Sequence, residues 1–180
     1  MILVVAATER ELDGLRGAET LVCGIGPVEA ALATARTIDA RRPATILHVG
    51  IAGARKLAPP ALVIGSDSVY CDIVDESSLI PRVERAAPDP TLLDAVHRAL
   101  PEAHVLSIAT SGRVGGGTSC EVEAMEGFGV LRAAELAGVP AVELRAVSNA
   151  VDEPVRARWR FEDALAALAG AVPRVLEALA

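Results

Sequence analysis

The chain has 180 residues, 52% hydrophobic and 23% charged, which suits a single domain, residues 1–180, with a self-sufficient core. A net charge of −7 leaves no basic footprint for DNA or RNA, and one Trp, one Tyr and two Phe offer few stacking platforms for single strands. No apolar run reaches the ~18–20 residues that a membrane-spanning helix needs.

Residues 1–6 are apolar, lack a basic start and run into Glu9-Arg10-Glu11, so they read as a buried first strand rather than a leader peptide. A short helical or turn segment follows over 9–15, then a strand over 20–23, closed by Gly24-Ile25-Gly26-Pro27. Val28, Ala31, Leu32, Ala35 and Ile38 recur at helical spacing and predict a helix over 28–40, with Pro27 in its first turn. Residues 45–49 form an apolar strand, with Gly50-Ile51-Ala52-Gly53-Ala54 expected as a tight loop. Residues 62–64 and 68–73 are two strand candidates, and 75–90 read as a polar loop. A helix over 91–100 leads to a strand over 104–110 and a glycine loop over 111–117. A short strand over 120–124 precedes a helix over 125–137, capped by Gly138 and stopped by Pro140. The last strand covers 141–147, and a helix over 162–179, interrupted near Pro173, ends the sequence.

Strands alternating with helices give the α/β class, and the 34 alanines suit helices packed closely on a sheet. In such a sheet ligands bind at the strand ends. Gly24 and Gly26 are then either a plain turn or ligand-lining backbone; Glu29 stands where a dinucleotide fingerprint needs its third glycine. Lys56 is the only lysine and no phosphate-binding G-x-x-x-x-G-K-[ST] occurs. His48, His97 and His104 are not set beside a nucleophile elbow, and His48 reads as a core histidine. Cys23, Cys71 and Cys120 fit neither a zinc knuckle nor a disulfide framework, so a cytoplasmic protein without a metal is expected. Among carboxylates, Glu126 is either a first-turn acid or a grip for vicinal hydroxyls, and Glu11 either a solvated turn acid or a functional one. Asn149 is either a turn former or a site amide.

Four blocks together carry a resemblance: residues 2–11 (ILVVAATERE), 23–31 (CGIGPVEAA), 48–53 (HVGIAG), and the run from VEAMEG at 122–127 through GVP at 138–140 to RAVSN at 145–149. In this order they resemble the superfamily of purine nucleoside phosphorylases and nucleosidases. The branch they are most similar to holds purine-releasing hydrolases, among them methylthioadenosine/S-adenosylhomocysteine nucleosidases and futalosine hydrolases. The resemblance implies a mixed, partly barrel-like sheet flanked by helices. It implies that Glu11 activates water, that Met125 and Glu126 hold the ribose, and that Asn149 meets the purine. It further implies that Ile51, Ser148 and backbone around Gly112, Arg113 and Val114 line the substrate site, with no organic cofactor.

One phosphate-binding arginine of the phosphorylases is missing just ahead of Gly50, which favours hydrolysis. Asn149 stands where adenine-releasing relatives carry Asp. An amide offers an N–H and a C=O that suit a 6-oxopurine. The expected reaction is therefore hydrolysis of the N-glycosidic bond of futalosine, releasing hypoxanthine in menaquinone biosynthesis. The alternatives are a nucleosidase for methylthioadenosine or other purine nucleosides, and a non-catalytic nucleoside-binding protein. A homodimer or larger homo-oligomer is implied, with no nucleic acid or membrane partner. The loop over 112–117 lacks an aromatic, so the purine is expected among aliphatic side chains and backbone, with Tyr70, Phe128, Phe161 or a neighbouring subunit as possible stacking partners.

Overall fold

The first strand, β1 (Ile2–Ala6), lies between two parallel neighbours, β2 (Glu19–Val22) and the start of β3 (Thr45–Ala54). It has no polar side chain because both its faces are covered: Val4 and Ala6 join one apolar cluster, Leu3 and Val5 another. The computed structural model describes residues 1–73, 81–115 and 117–180.

β3 continues past β1 into a closed ring of five strands. The ring runs from β3 to β8 (Ala141–Ala150), β4 (Leu62–Tyr70), β6 (His104–Thr110) and β7 (Val122–Ala124), and back to β3. The β3–β8, β4–β6 and β6–β7 pairs are parallel, and β4–β8 and β3–β7 antiparallel. β5 (Arg85–Ala86) adds to β4. This is the mixed, partly barrel-like sheet that the resemblance implied.

Helices cover both faces. α1 (Pro27–Arg41) and α3 (Gly127–Ala137) bury Ala30, Ile38, Val130, Leu131 and Ala134 against Leu3, Val5 and Ile46. α2 (Pro90–Ala99) and α4 (Phe161–Leu179) bury Val96, Leu168, Val172 and Val175 against Val4, Leu47 and Val49. Asp89 caps α2, its Oδ1 accepting from the N–H groups of Thr91 (2.9 Å) and Leu92 (3.0 Å). Among the described residues no helix is long and apolar enough to cross a membrane.

Four sequence-based expectations are corrected. Residues 50–54 are strand rather than loop, because β3 pairs with β8 throughout that stretch. The two strand candidates at 62–64 and 68–73 are one strand, β4, with an irregularity between Gly65 and Asp67. Ser148 and Asn149 lie within β8 rather than after it. α4 runs through Pro173: Ala171, Val172 and Val175 are buried around it, and that burial offsets the ~3 kcal/mol a helical proline costs. The expected loop over 75–90 lies partly outside the described residues, as does Gly116 of the glycine loop; within the rest, Arg85 and Ala86 are strand.

Candidate active site

A cavity of about 370 Å³ opens beside the C-terminal ends of β3 and β8, a size within the usual range for small-molecule sites. Glu11, Ile51, Arg113, Val114, Met125, Glu126, Ser148 and Asn149 all line it. Gly112 does not. Its N–H donates to Asp72 Oδ2 (2.6 Å), and it lines a neighbouring cavity instead. Asp72 also accepts from the Ser111 hydroxyl (2.7 Å), which pins the start of the glycine loop and turns Gly112 away.

Glu11 sits in a 3₁₀ turn, Glu9–Leu12. Its Oε2 accepts from the Thr8 N–H and hydroxyl, both at 2.9 Å, in a capping box. Its Oε1 accepts from the Ile51 N–H at 3.0 Å. A carboxylate has about four acceptor directions, so these contacts fix Glu11 and leave one direction free.

Glu126 occupies the N-cap of α3 and is 4% exposed. Its Oε1 accepts from the Gly26 N–H (3.1 Å) and its Oε2 faces Arg145 Nη1 (3.4 Å). The Gly24–Gly26 turn, with φ of +83° and +95° at its glycines, thus presents an N–H to the protein's own carboxylate. Burial pushes the Glu126 carboxyl above its ordinary range, and Arg145 and Gly26 partly offset this.

The residues that sequence reasoning missed lie beneath. Arg145 is fully buried. Its Nε donates to Glu143 Oε1 (2.8 Å) and its Nη2 to His48 Nε2 (2.5 Å). Guanidinium has no acceptor, so His48 Nε2 must accept, and its Nδ1–H donates to the Val5 carbonyl (3.0 Å). Burial, then the Arg145 charge, holds the His48 imidazole well below its ordinary pKa. Ser68 donates to Glu143 Oε2. Burial opposes the Arg145 charge, but Glu143 and Glu126 hold its proton more tightly than usual. The alternation of strand β8 could have flagged this layer: Glu143 and Arg145 interrupt an otherwise apolar run at spacing two.

Two glycines make room for the network. A Cβ at Gly50 would lie 2.3 Å from Arg145 Nη1 and 2.9 Å from Glu11 Oε1. A Cβ at Gly127 would lie 2.4–2.5 Å from both Glu143 oxygens and 2.5 Å from the Ser68 hydroxyl. Side chains longer than glycine would therefore break the layer that carries Glu126.

Asn149 reaches the cavity through a register shift between Ala52 and Gly53, where β8 gains one residue against β3. Its Oδ1 accepts from the Ser148 hydroxyl (2.7 Å) and its Nδ2 donates to the Ala150 carbonyl (2.8 Å). One N–H and one acceptor direction remain on the amide.

Aromatic side chains also line the cavity: Phe161, one of the stacking candidates, and Trp159 stand at its wall. Trp159 was not foreseen. Tyr70 and Phe128 stack on each other instead, centroids 5.1 Å apart, and neither lines the cavity.

The sequence matches the family model of the phosphorylase superfamily over residues 20–180. The chain is 34% identical to a futalosine hydrolase of Streptomyces coelicolor over 190 residues, covering 91% of this chain and 80% of that protein. It is 32% identical to a futalosine hydrolase of Thermus thermophilus, covering 87% and 80%. The fold is shared with an MTA/SAH nucleosidase of Streptococcus pneumoniae (TM-score 0.85, 19% identity, 98% and 99% covered). It is shared equally with a futalosine hydrolase of Helicobacter pylori (TM-score 0.86, 20% identity, 98% and 97% covered). With five strands closed into a ring, carboxylates at the strand ends and a family match across nearly its whole length, the chain belongs to the phosphorylase superfamily.

Proposed function

We propose that the protein hydrolyses the N-glycosidic bond of futalosine and releases hypoxanthine. The observation that carries this reading is the pairing of a fixed, water-accessible carboxylate, Glu11, with the Asn149 amide across one cavity. The two curated futalosine hydrolases, at 34% and 32% identity, support it.

The C1′–N9 bond breaks first and leaves an oxocarbenium-like ribose. Glu126 accepts hydrogen bonds from the ribose hydroxyls, and its negative charge favours the nearby cation. Met125 covers one face of the sugar. Glu11 accepts a proton from the water that attacks C1′, general-base help worth about 10²–10⁴-fold. Asn149 donates its remaining N–H to the departing base, and its C=O accepts from a ring N–H. That pattern fits a 6-oxopurine. Ile51, Val114 and Ser148 complete the walls around sugar and base.

The protein acts on this reading as one cytoplasmic domain. A homo-oligomer fits the exposed Ile25, Val28 and Leu32, of which Ile25 also lines the cavity. The test is base release from futalosine, inosine and methylthioadenosine, followed by chromatography. Hypoxanthine from futalosine at the highest kcat/KM is the expected result. Adenine from methylthioadenosine with none from futalosine would overturn the assignment.

A further inference from the structure

Glu143 is fully buried on β8 and does not line the cavity, and no step of the hydrolysis above uses it. Stability alone gives no reason for it, because a well-packed apolar layer is often as stable as a buried ion pair of the same volume. Its partner Arg145 meets its acceptors at unequal distances. Nε donates to Glu143 Oε1 at 2.8 Å and Nη2 to His48 Nε2 at 2.5 Å. Nη1 stands 3.4 Å from Glu126 Oε2 and 3.5 Å from the Ile51 carbonyl.

A guanidinium is planar and rigid, so its two short contacts set where Nη1 stands. Of the two anchors His48 is neutral, and the charge that holds Arg145 is therefore that of Glu143. Glu143 is itself fixed: the Ser68 hydroxyl donates to its Oε2, and Gly127 leaves room for both its oxygens. The contact left to Glu126 is long. A short pair with Arg145 would take up Glu126 Oε2, whereas a long one leaves that oxygen an acceptor toward the cavity that Glu126 lines.

We propose that Glu143 is a positioning residue for ribose recognition: it holds Arg145 back from Glu126, so that Glu126 Oε2 stays open to a ribose hydroxyl. This rests on the nucleoside hydrolase reading, in which Glu126 holds the sugar. The charges around Glu126 give the role a second signature. Burial raises the Glu126 carboxyl, Arg145 and the Gly26 N–H lower it, and the negative charges of Glu11 and Glu143 raise it again. The Cys23 thiol beside it, pushed up to about 12 chiefly by burial, stays neutral. Glu143→Gln keeps the size and an acceptor for Arg145 Nε, and Ser68 can accept from the amide, but one negative charge is gone. Arg145 then turns its charge to Glu126, and the Glu126 carboxyl falls.

Base release from futalosine and from its 2′-deoxy and 3′-deoxy analogues, each followed across pH, separates this role from plain support of the fold. The intrinsic reactivity of each sugar cancels when two proteins are compared, so a change in the kcat/KM ratio of futalosine to a deoxy analogue reports on the hydroxyl contact. Glu143→Gln should lower that ratio about 10-fold for at least one analogue, the scale of one charge-assisted hydrogen bond. It should also move the acid limb of kcat/KM on futalosine to lower pH. A slowing shared equally by all three substrates, or an acid limb that stays in place, overturns the role and leaves futalosine hydrolysis standing. Should Glu143→Gln fail to fold, Ser68→Ala decides, since it keeps every charge and releases only the Oε2 side of Glu143. A lower ratio then supports the role and an unchanged one overturns it. No base from any of the three with the unaltered protein overturns the hydrolase reading and the role with it.

Discussion

Glu11 and Glu126 are both carboxylates, but their surroundings differ. Glu11 is held by three donors near the surface, whereas Glu126 is buried against a guanidinium and a backbone N–H. Glu11→Gln keeps the size and loses the proton acceptor, so kcat should fall about 10²–10⁴-fold with KM little changed. Because the Glu126 carboxyl is raised above its ordinary range, kcat/KM should decline on acidification at a higher pH than an unperturbed glutamate would give. A pH–rate profile checks this. His48 supplies a second pH effect, on stability. Its folded pKa lies well below 6.5, so below pH 6.5 the unfolded chain binds a proton that the native protein refuses. Its contribution is complete above pH 6.5 and is lost as pH falls, by up to about 1.4 kcal/mol per pH unit. Denaturant unfolding at pH 7.5 and 5.5 should show a smaller pH difference for His48→Asn than for the unaltered protein.

At the scale of elements, most of the architecture was legible. Apolar β1, the helical spacing of α1 and the strand β6 stand where their patterns place them. What misled was glycine. Residues 50–54 look like a turn because their side chains are small, yet the small side chains serve a strand that must let Arg145 and Glu11 approach its backbone. The buried layer was hidden for another reason: Glu143 and Arg145 are near neighbours on β8, but His48 is far from them in sequence, and only the β3–β8 register brings it to Arg145. Asn149 was legible as a residue but not as a position, since the bulge that aims it is a property of two strands. Gly127→Ala should therefore cost both stability and turnover, because its Cβ would overlap Glu143 and Ser68. By contrast Asp89→Ala, which removes only the α2 cap, should cost about 0.5–2 kcal/mol and leave kcat unchanged. Chemical denaturation with parallel rate assays separates the two.

For the whole molecule, the scarcity of aromatics acquires a location. Trp159 and Phe161 stand together at the cavity, and Tyr70 and Phe128 form the other pair. Alanine fills the contacts between helices and sheet, where Ala30, Ala134, Ala164 and Ala171 are buried. One of the two aromatic pairs thus stands at the cavity, while small side chains serve the close packing of helices on the sheet. Phosphorylases and hydrolases share this fold, so the acceptor of the ribosyl group is the central question. The most direct measurement is turnover of futalosine in ¹⁸O-labelled water with phosphate present. Hydrolysis should leave ¹⁸O at C1′ of the sugar product and no phosphate ester. A C1′ phosphate ester carrying no solvent oxygen would contradict it.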